Sequence, residues 1–139
     1  MLDNLKQLLY YCVSQVIQLE KNMYSFSNDT PIYLQIMEHL KTEIITGKYV
    51  PGEKLMSVRE FSLYFQVNPN TIQKALFELE SMGLITTERT NGKFVSNDKE
   101  LIQKVKNETV KKMVEDFYIS FAKIGVSKEQ LIEILKKEE

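Results

Sequence analysis

Five polar residues in one short stretch, Asn68, Asn70, Thr71, Gln73 and Lys74, carry side chains suited to reading a patterned surface of donors and acceptors. The amides of Asn and Gln match the paired donor and acceptor on an adenine edge, and Thr sets a hydroxyl beside a methyl that can touch thymine. Asn68-Pro69 reads as a helix start, with Asn68 as N-cap and Pro69 at the first helical position. A helix opened there offers free N–H groups and the positive end of its dipole, both suited to phosphate. Its first turn is polar, while Ile72, Ala75, Leu76 and Leu79 return at helical spacing to hold the other face in a core.

Other chemistry is poorly supplied. Cys12 is the single cysteine and His39 the single histidine of 139 residues, which excludes an intrachain disulfide, a cysteine metal cluster and most histidine metal sites. No nucleophile–base pair, Gly-rich phosphate loop or metal-spaced carboxylate cluster is present. Glu78 and Glu80, or Glu115 and Asp116, fall on different helix faces and read as solvated charge. Neither an enzyme nor a cofactor is expected. His39, off the main apolar stripe of its helix, reads as an ordinary surface or boundary residue. A lone thiol suits a reducing compartment, and no run of 18 apolar residues suggests a membrane span. The chain is expected in the cytoplasm, without a membrane partner.

The net charge is −1, and no segment is a polycation. Residues 1–29 carry −1, residues 30–96 seven charges of each sign, and residues 97–139 nine of each. Nucleic-acid binding therefore requires the positive groups to gather on one face. The alternative from another class is a protein–protein interaction module without DNA binding. Positive charge collected at Arg59, Lys74 and Lys93 favours DNA over a protein partner.

The elements that position these groups are legible. Residues 30–47 read as a helix with Thr30 or Asp29 as N-cap and Pro31 at the first helical position, and Gly47 ends it. Pro51-Gly52 marks a turn. Ser57 with Glu60 three residues on is a capping-box pattern, opening a short helix through about Phe65. After the polar helix, which Gly83 ends, come two runs, Leu84–Glu88 and Lys93–Ser96, separated by Arg89-Thr90-Asn91-Gly92, whose Asn-Gly is a strong hairpin signal. The fold class is thus mostly α with a small β-hairpin: a winged helix-turn-helix over residues 30–96, followed by a two-helix segment over 97–139. Residues 2–21 have apolar positions at helical spacing and read as an amphipathic helix, and residues 24–29 as a linker. Residues 1–29 thus form an N-terminal helix and linker.

Several ordered stretches resemble the GntR family of bacterial transcription regulators: Pro31–Ile36, Gly47–Glu60, Val67–Leu76, Leu79-Glu80, Gly83–Ile85 and Asn91–Val95. The Asn-Pro-Asn-Thr run and the short helical tail look most like the YtrA subfamily, whose members often govern transporter genes. Met56 departs from the family's usual proline, Pro69 stands where many relatives have arginine, and the subfamily usually begins near the position of Met23, so residues 1–22 are a possible upstream extension. The resemblance implies a repressor bound to double-stranded operator DNA. Arg59 would contact phosphate and a guanine edge, and Asn68, Asn70, Thr71, Gln73 and Lys74 would face the major groove. Asn91, Gly92 and Lys93 would form the wing tip.

The 43 residues after Ser96 are too few for the larger effector-binding domains of other GntR branches, and no effector is read from them. The long helix over about 99–124 carries Val105, Met113, Val114, Phe117, Tyr118, Ile119, Phe121 and Ile124. This exceeds what a final short helix, bearing Leu131, Ile132, Ile134 and Leu135 and capped by Ser127, can cover. So small a segment rarely closes its own core. A homodimer interface is expected, built on Val105, Met113, Phe117, Tyr118, Phe121, Ile124, Leu131 and Leu135.

Overall fold

The computed structural model describes residues 24–137. The amphipathic helix expected over residues 2–21 lies outside them. The elements are α1 (Ile32–Ile45), α2 (Val58–Phe65), α3 (Pro69–Ser81), β1 (Ile85–Glu88), β2 (Gly92–Val95), α4 (Lys99–Ala122) and α5 (Lys128–Lys137). This is the expected order of three helices, a hairpin and a helical tail.

Apolar residues at helical spacing drive α1, α2 and α3 together. Ile36, Leu40 and Ile44 of α1, Phe61 and Phe65 of α2, and Ile72, Leu76 and Leu79 of α3 lie in one buried cluster. Leu55, Leu84, Ile85 and Val95 close it beneath the hairpin. Strands β1 and β2 pair antiparallel, with Ile85 opposite Val95 and Glu88 opposite Gly92. A third extended piece borders β2: the Leu55 N–H donates to the Lys93 carbonyl at 2.9 Å, and the Val95 N–H to the Glu53 carbonyl at 2.8 Å.

The start of α1 differs from expectation. Pro31 occupies the N-cap itself, and no side chain caps the helix. Gln35 folds back instead, donating to the carbonyls of Ser27 and Thr30 and accepting from the Ser27 N–H. Residues 24–29 are accordingly more than a linker. The Tyr24 and Phe26 rings lie against Phe65, and the Tyr24 hydroxyl meets His39 Nε2 at 3.0 Å and the Tyr64 hydroxyl at 2.8 Å. His39 is the half-buried boundary residue anticipated. Glu43, the buried carboxylate of α1, accepts from Lys48 and faces His39 at 3.3 Å.

The tail begins with Asp98 capping α4, its carboxylate accepting from the Leu101 N–H at 3.0 Å. Ile102 and Val105 pack on the winged core, but no residue of α4 is fully buried. Ile124 falls beyond the end of α4. Ser127 and Gln130 then exchange reciprocal cap bonds that open α5. Among the described residues no helix is long and apolar enough to cross a membrane, and no group of three potential metal ligands comes together.

Candidate nucleic-acid interface

Two caps set the geometry of the helix pair. The Ser57 hydroxyl accepts from the Glu60 N–H at 3.2 Å, and the Glu60 carboxylate accepts from the Ser57 N–H at 2.7 Å. That backbone bond holds the Glu60 carboxyl below the usual carboxylate range. Its charge is committed to the cap, and Arg59, the second residue of α2, stays exposed beside it. Gln66 then takes the left-handed conformation, φ 55°, which turns the chain tightly between α2 and α3.

At the start of α3, the Asn68 carboxamide oxygen accepts from the Asn70 N–H at 2.8 Å. Asn68 is therefore engaged with its own helix. Asn70, Gln73 and Lys74 are exposed and Thr71 is half-buried. Lys74 Nζ lies 5.8 Å from the centroid of the half-buried Tyr33 ring, a cation–π arrangement that limits where the ammonium can go. This first turn projects from a helix whose opposite face is buried through Ile72, Ala75, Leu76 and Leu79. Gly83, at φ 76°, ends the helix so that the chain reverses into β1, and a Cβ there would lie 2.8 Å from Leu101.

The wing is arranged differently from the sequence expectation. Residues 89–91 make a three-residue loop, and Gly92, at φ 104°, is already in β2 opposite Glu88. Asn91 donates its amide to the Glu88 carboxylate at 3.1 Å. Lys93 is not at the tip. It shares the inward face of the hairpin with Val95, two residues on, because strand side chains alternate. Its Nζ donates to Thr87 Oγ1 at 2.6 Å and lies 3.3 Å from a carboxylate oxygen of Glu80 on α3, with the side chain 23% exposed. The cation at the tip is Arg89, which the sequence shows only as one of the turn residues. Counting back across the Glu88–Gly92 pair is what places it there. Lys54, paired beside Phe94, adds a second exposed cation along the wing. Among the described residues Lys54, Arg59, Lys74 and Arg89 enter no ion pair.

The tail residues also divide. Met113, Phe117, Ile124 and Leu135 are exposed, Ile124 by 74%, and Tyr118 and Phe121 are half-buried. Leu131 is only 3% exposed and so is covered within the chain, and Val105 is partly covered by the winged core. Val110, Val114, Ile119, Ile132 and Ile134 extend the exposed apolar surface.

Residues 32–95 match the family described as bacterial regulatory proteins, gntR family. Over 111 residues the chain is 34% identical to the HTH-type transcriptional regulator YhcF of Bacillus subtilis (strain 168), covering 80% of this chain and 92% of that protein. The chain belongs to the gntR family. It is also 38% identical, over 79% of its length, to the HTH-type transcriptional repressor YtrA of the same organism, covering 85% of that protein. A GntR family transcriptional regulator from Listeria monocytogenes superposes with a TM-score of 0.75 at 43% identity, over 82% of this chain and all of that one. The match to this structure and to both curated relatives extends past the winged domain into the tail. This GntR-family chain is thus a winged helix-turn-helix transcription regulator with a DNA-binding domain, and its relatives are regulators rather than enzymes.

Proposed function

We propose that this GntR-family chain is a repressor that binds a pseudo-palindromic operator as a homodimer. Asn70, Thr71, Gln73 and Lys74 read the major groove, with Arg59 on the flanking phosphates and the wing tip of Asn91 and Arg89 reaching the neighbouring groove. Asn68 contributes by capping the helix that presents them, and Gly92 by permitting close approach of the wing backbone. The observation that carries this reading is the exposed polar first turn of α3, together with the exposed cations Lys54, Arg59, Lys74 and Arg89, which enter no ion pair among the described residues. A nearly neutral domain can bind a polyanion when its unpaired positive groups share one face.

The dimer rests on the exposed apolar surface of α4 and α5, with Met113, Phe117, Tyr118, Phe121, Ile124 and Leu135 at its centre. Repression rests on similarity to YtrA, and control of transporter genes on the subfamily resemblance alone. Selecting bound duplexes from a random pool tests the whole proposal. Inverted repeats are expected, with half-site centres about one helical turn (roughly 34–36 Å) or a multiple apart. An unenriched pool, despite folded protein, would transfer the function to a protein partner.

A further inference from the structure

The proposed interface leaves one part of the wing unused for contact. Lys93 and its cross-strand partner Thr87 lie on the same face of the hairpin, and the side chain of Glu80 rises from α3 to meet both. The bonds run in one direction. Lys93 Nζ donates to Thr87 Oγ1 at 2.6 Å, and Thr87 Oγ1 donates to Glu80 Oε1 at 2.6 Å. Glu80 Oε2 receives Lys93 directly at 3.3 Å. Glu80 and Lys93 are part-exposed and Thr87 is exposed, and the triad spans α3, β1 and β2. It is the polar continuation of the buried Ile85–Val95 pair, at the point where the hairpin extends beyond the core.

We propose that Glu80 is a positioning residue for DNA recognition, clamping the wing to the recognition helix through Thr87 and neutralising Lys93 so that it does not bind phosphate. This rests on the DNA-binding reading above. Its physical content is a trade. A free lysine at position 93 adds affinity for any duplex, because each phosphate neutralised releases counterions irrespective of sequence. A clamped lysine gives up that attraction and fixes the distance between α3 and the wing tip. Only a duplex that fits the helix and the wing together then gains from both. The clamp therefore favours the operator over other DNA. The Glu80 carboxyl is held below the usual carboxylate range, first by the Thr87 hydroxyl and then by Lys93, so the carboxylate stays charged at neutral pH.

The test compares the intact protein with Glu80→Gln, Lys93→Met and the charge-swapped Glu80→Lys/Lys93→Glu pair. Binding to a selected operator and to a scrambled duplex is measured across a salt series, with Tm measured alongside. Glu80→Gln keeps an acceptor for Thr87 but frees Lys93. It is expected to raise affinity for scrambled DNA, to steepen its log–log salt slope by up to about 0.9, and to lower the operator preference by about two- to fivefold, the worth of one part-exposed ion pair. Lys93→Met is expected to lower the operator preference while leaving the slope unchanged. The swapped pair is expected to recover part of the preference.

A slope made shallower by about 0.9 in Lys93→Met, with Glu80→Gln unchanged, would overturn the proposal, because Lys93 would then be a phosphate contact. A parallel loss on both duplexes that follows Tm would also overturn it, by reducing the triad to fold stability. If the intact protein does not prefer any selected duplex, the DNA-binding reading itself fails. That result is separate from either outcome for the variants.

Discussion

Helices α3 and α4 are built from comparable residues and come to opposite ends. The 13 residues of α3 bury Ile72, Ala75, Leu76 and Leu79, and the 24 residues of α4 bury none. In α3 the apolar residues keep to one face, against which α1 and α2 close on both sides, so the polar first turn is held in place by a finished core. In α4 the apolar residues spread around the upper half of the helix. Val110, Met113, Val114, Phe117 and Ile119 all remain exposed, although Phe117 and Phe121 touch edge to face, with centroids 4.7 Å apart. One region of this chain completes itself, and the other presents surface that a second copy is proposed to cover. The proposed recognition surface belongs to the first region and its proposed pairing to the second.

Matched phenylalanines give the sharpest break between the two. Phe61 is fully buried, and Phe61→Ala is expected to cost about 3–5 kcal/mol of stability, mostly through forfeited transfer energy and the cavity left behind. That decrease, followed by chemical denaturation, is expected at every protein concentration. Phe117 is 45% exposed in the single chain. Phe117→Ala is expected to lower Tm most at high concentration, where the intact dimer gains most from association. Equal, concentration-independent decreases in both variants would erase the distinction and leave the tail self-sufficient.

The second prediction isolates pairing from folding. Met113→Glu together with Ile124→Glu places two carboxylates on surface that is already exposed, so the winged domain is expected to keep its Tm. Sedimentation is expected to give a monomer, and operator affinity to fall by about 10²–10⁴-fold, because the second half-site is no longer bound intramolecularly. A dimeric variant, or a monomer with full affinity, would detach recognition from the tail.

How far the sequence reveals each region follows the same division. The self-completing region is legible almost element by element, because its signals are local. Ser57 with Glu60, Asn68-Pro69 and Gly83 act within a few residues of themselves, and each stands where the sequence places it. The misses concern meetings between elements. Lys93 resembles a tip residue because it follows Asn91-Gly92, but its direction is set by the pleat and by Glu80, thirteen residues earlier. The alternation with Val95 carries that information. Leu131 and Val105 resemble interface residues because helical spacing alone does not say which neighbour covers an apolar side chain. Pro31 resembles a first-turn residue because the role of Gln35 as a substitute cap is a matter of tertiary geometry.

Within the self-completing region, the individual roles are expected to be separable. Thr71→Ala and Gln73→Ala each remove a group proposed to read bases and leave the α3 cap and core intact. Each is expected to weaken operator binding by about 1–3 kcal/mol, with little change on scrambled DNA at the same salt. Equal weakening on both duplexes would move these residues from reading bases to touching the backbone.

The smallest effect expected is also the one that uses both regions at once. Counting charge does not locate the interface, because the tail has nine lysines against seven cations in residues 30–96. The tail cations are balanced by as many acids, and Lys128 is placed over the Tyr118 ring at 5.0 Å. Arg59 stands in the first turn of α2 and Arg89 in the hairpin loop, and neither enters an ion pair among the described residues. Arg59→Ala or Arg89→Ala is therefore expected to make the salt slope of operator binding shallower by about 0.9 for each phosphate that the side chain no longer neutralises. Lys111→Ala with Lys112→Ala removes as much charge as both arginine changes together and is expected to leave the slope where it was. A slope that follows total charge, whichever pair is removed, would mean that the duplex senses the protein only as a diffuse field. A slope that responds at the wing and the second helix alone would place the phosphate-binding groups there, on the region that completes its own core.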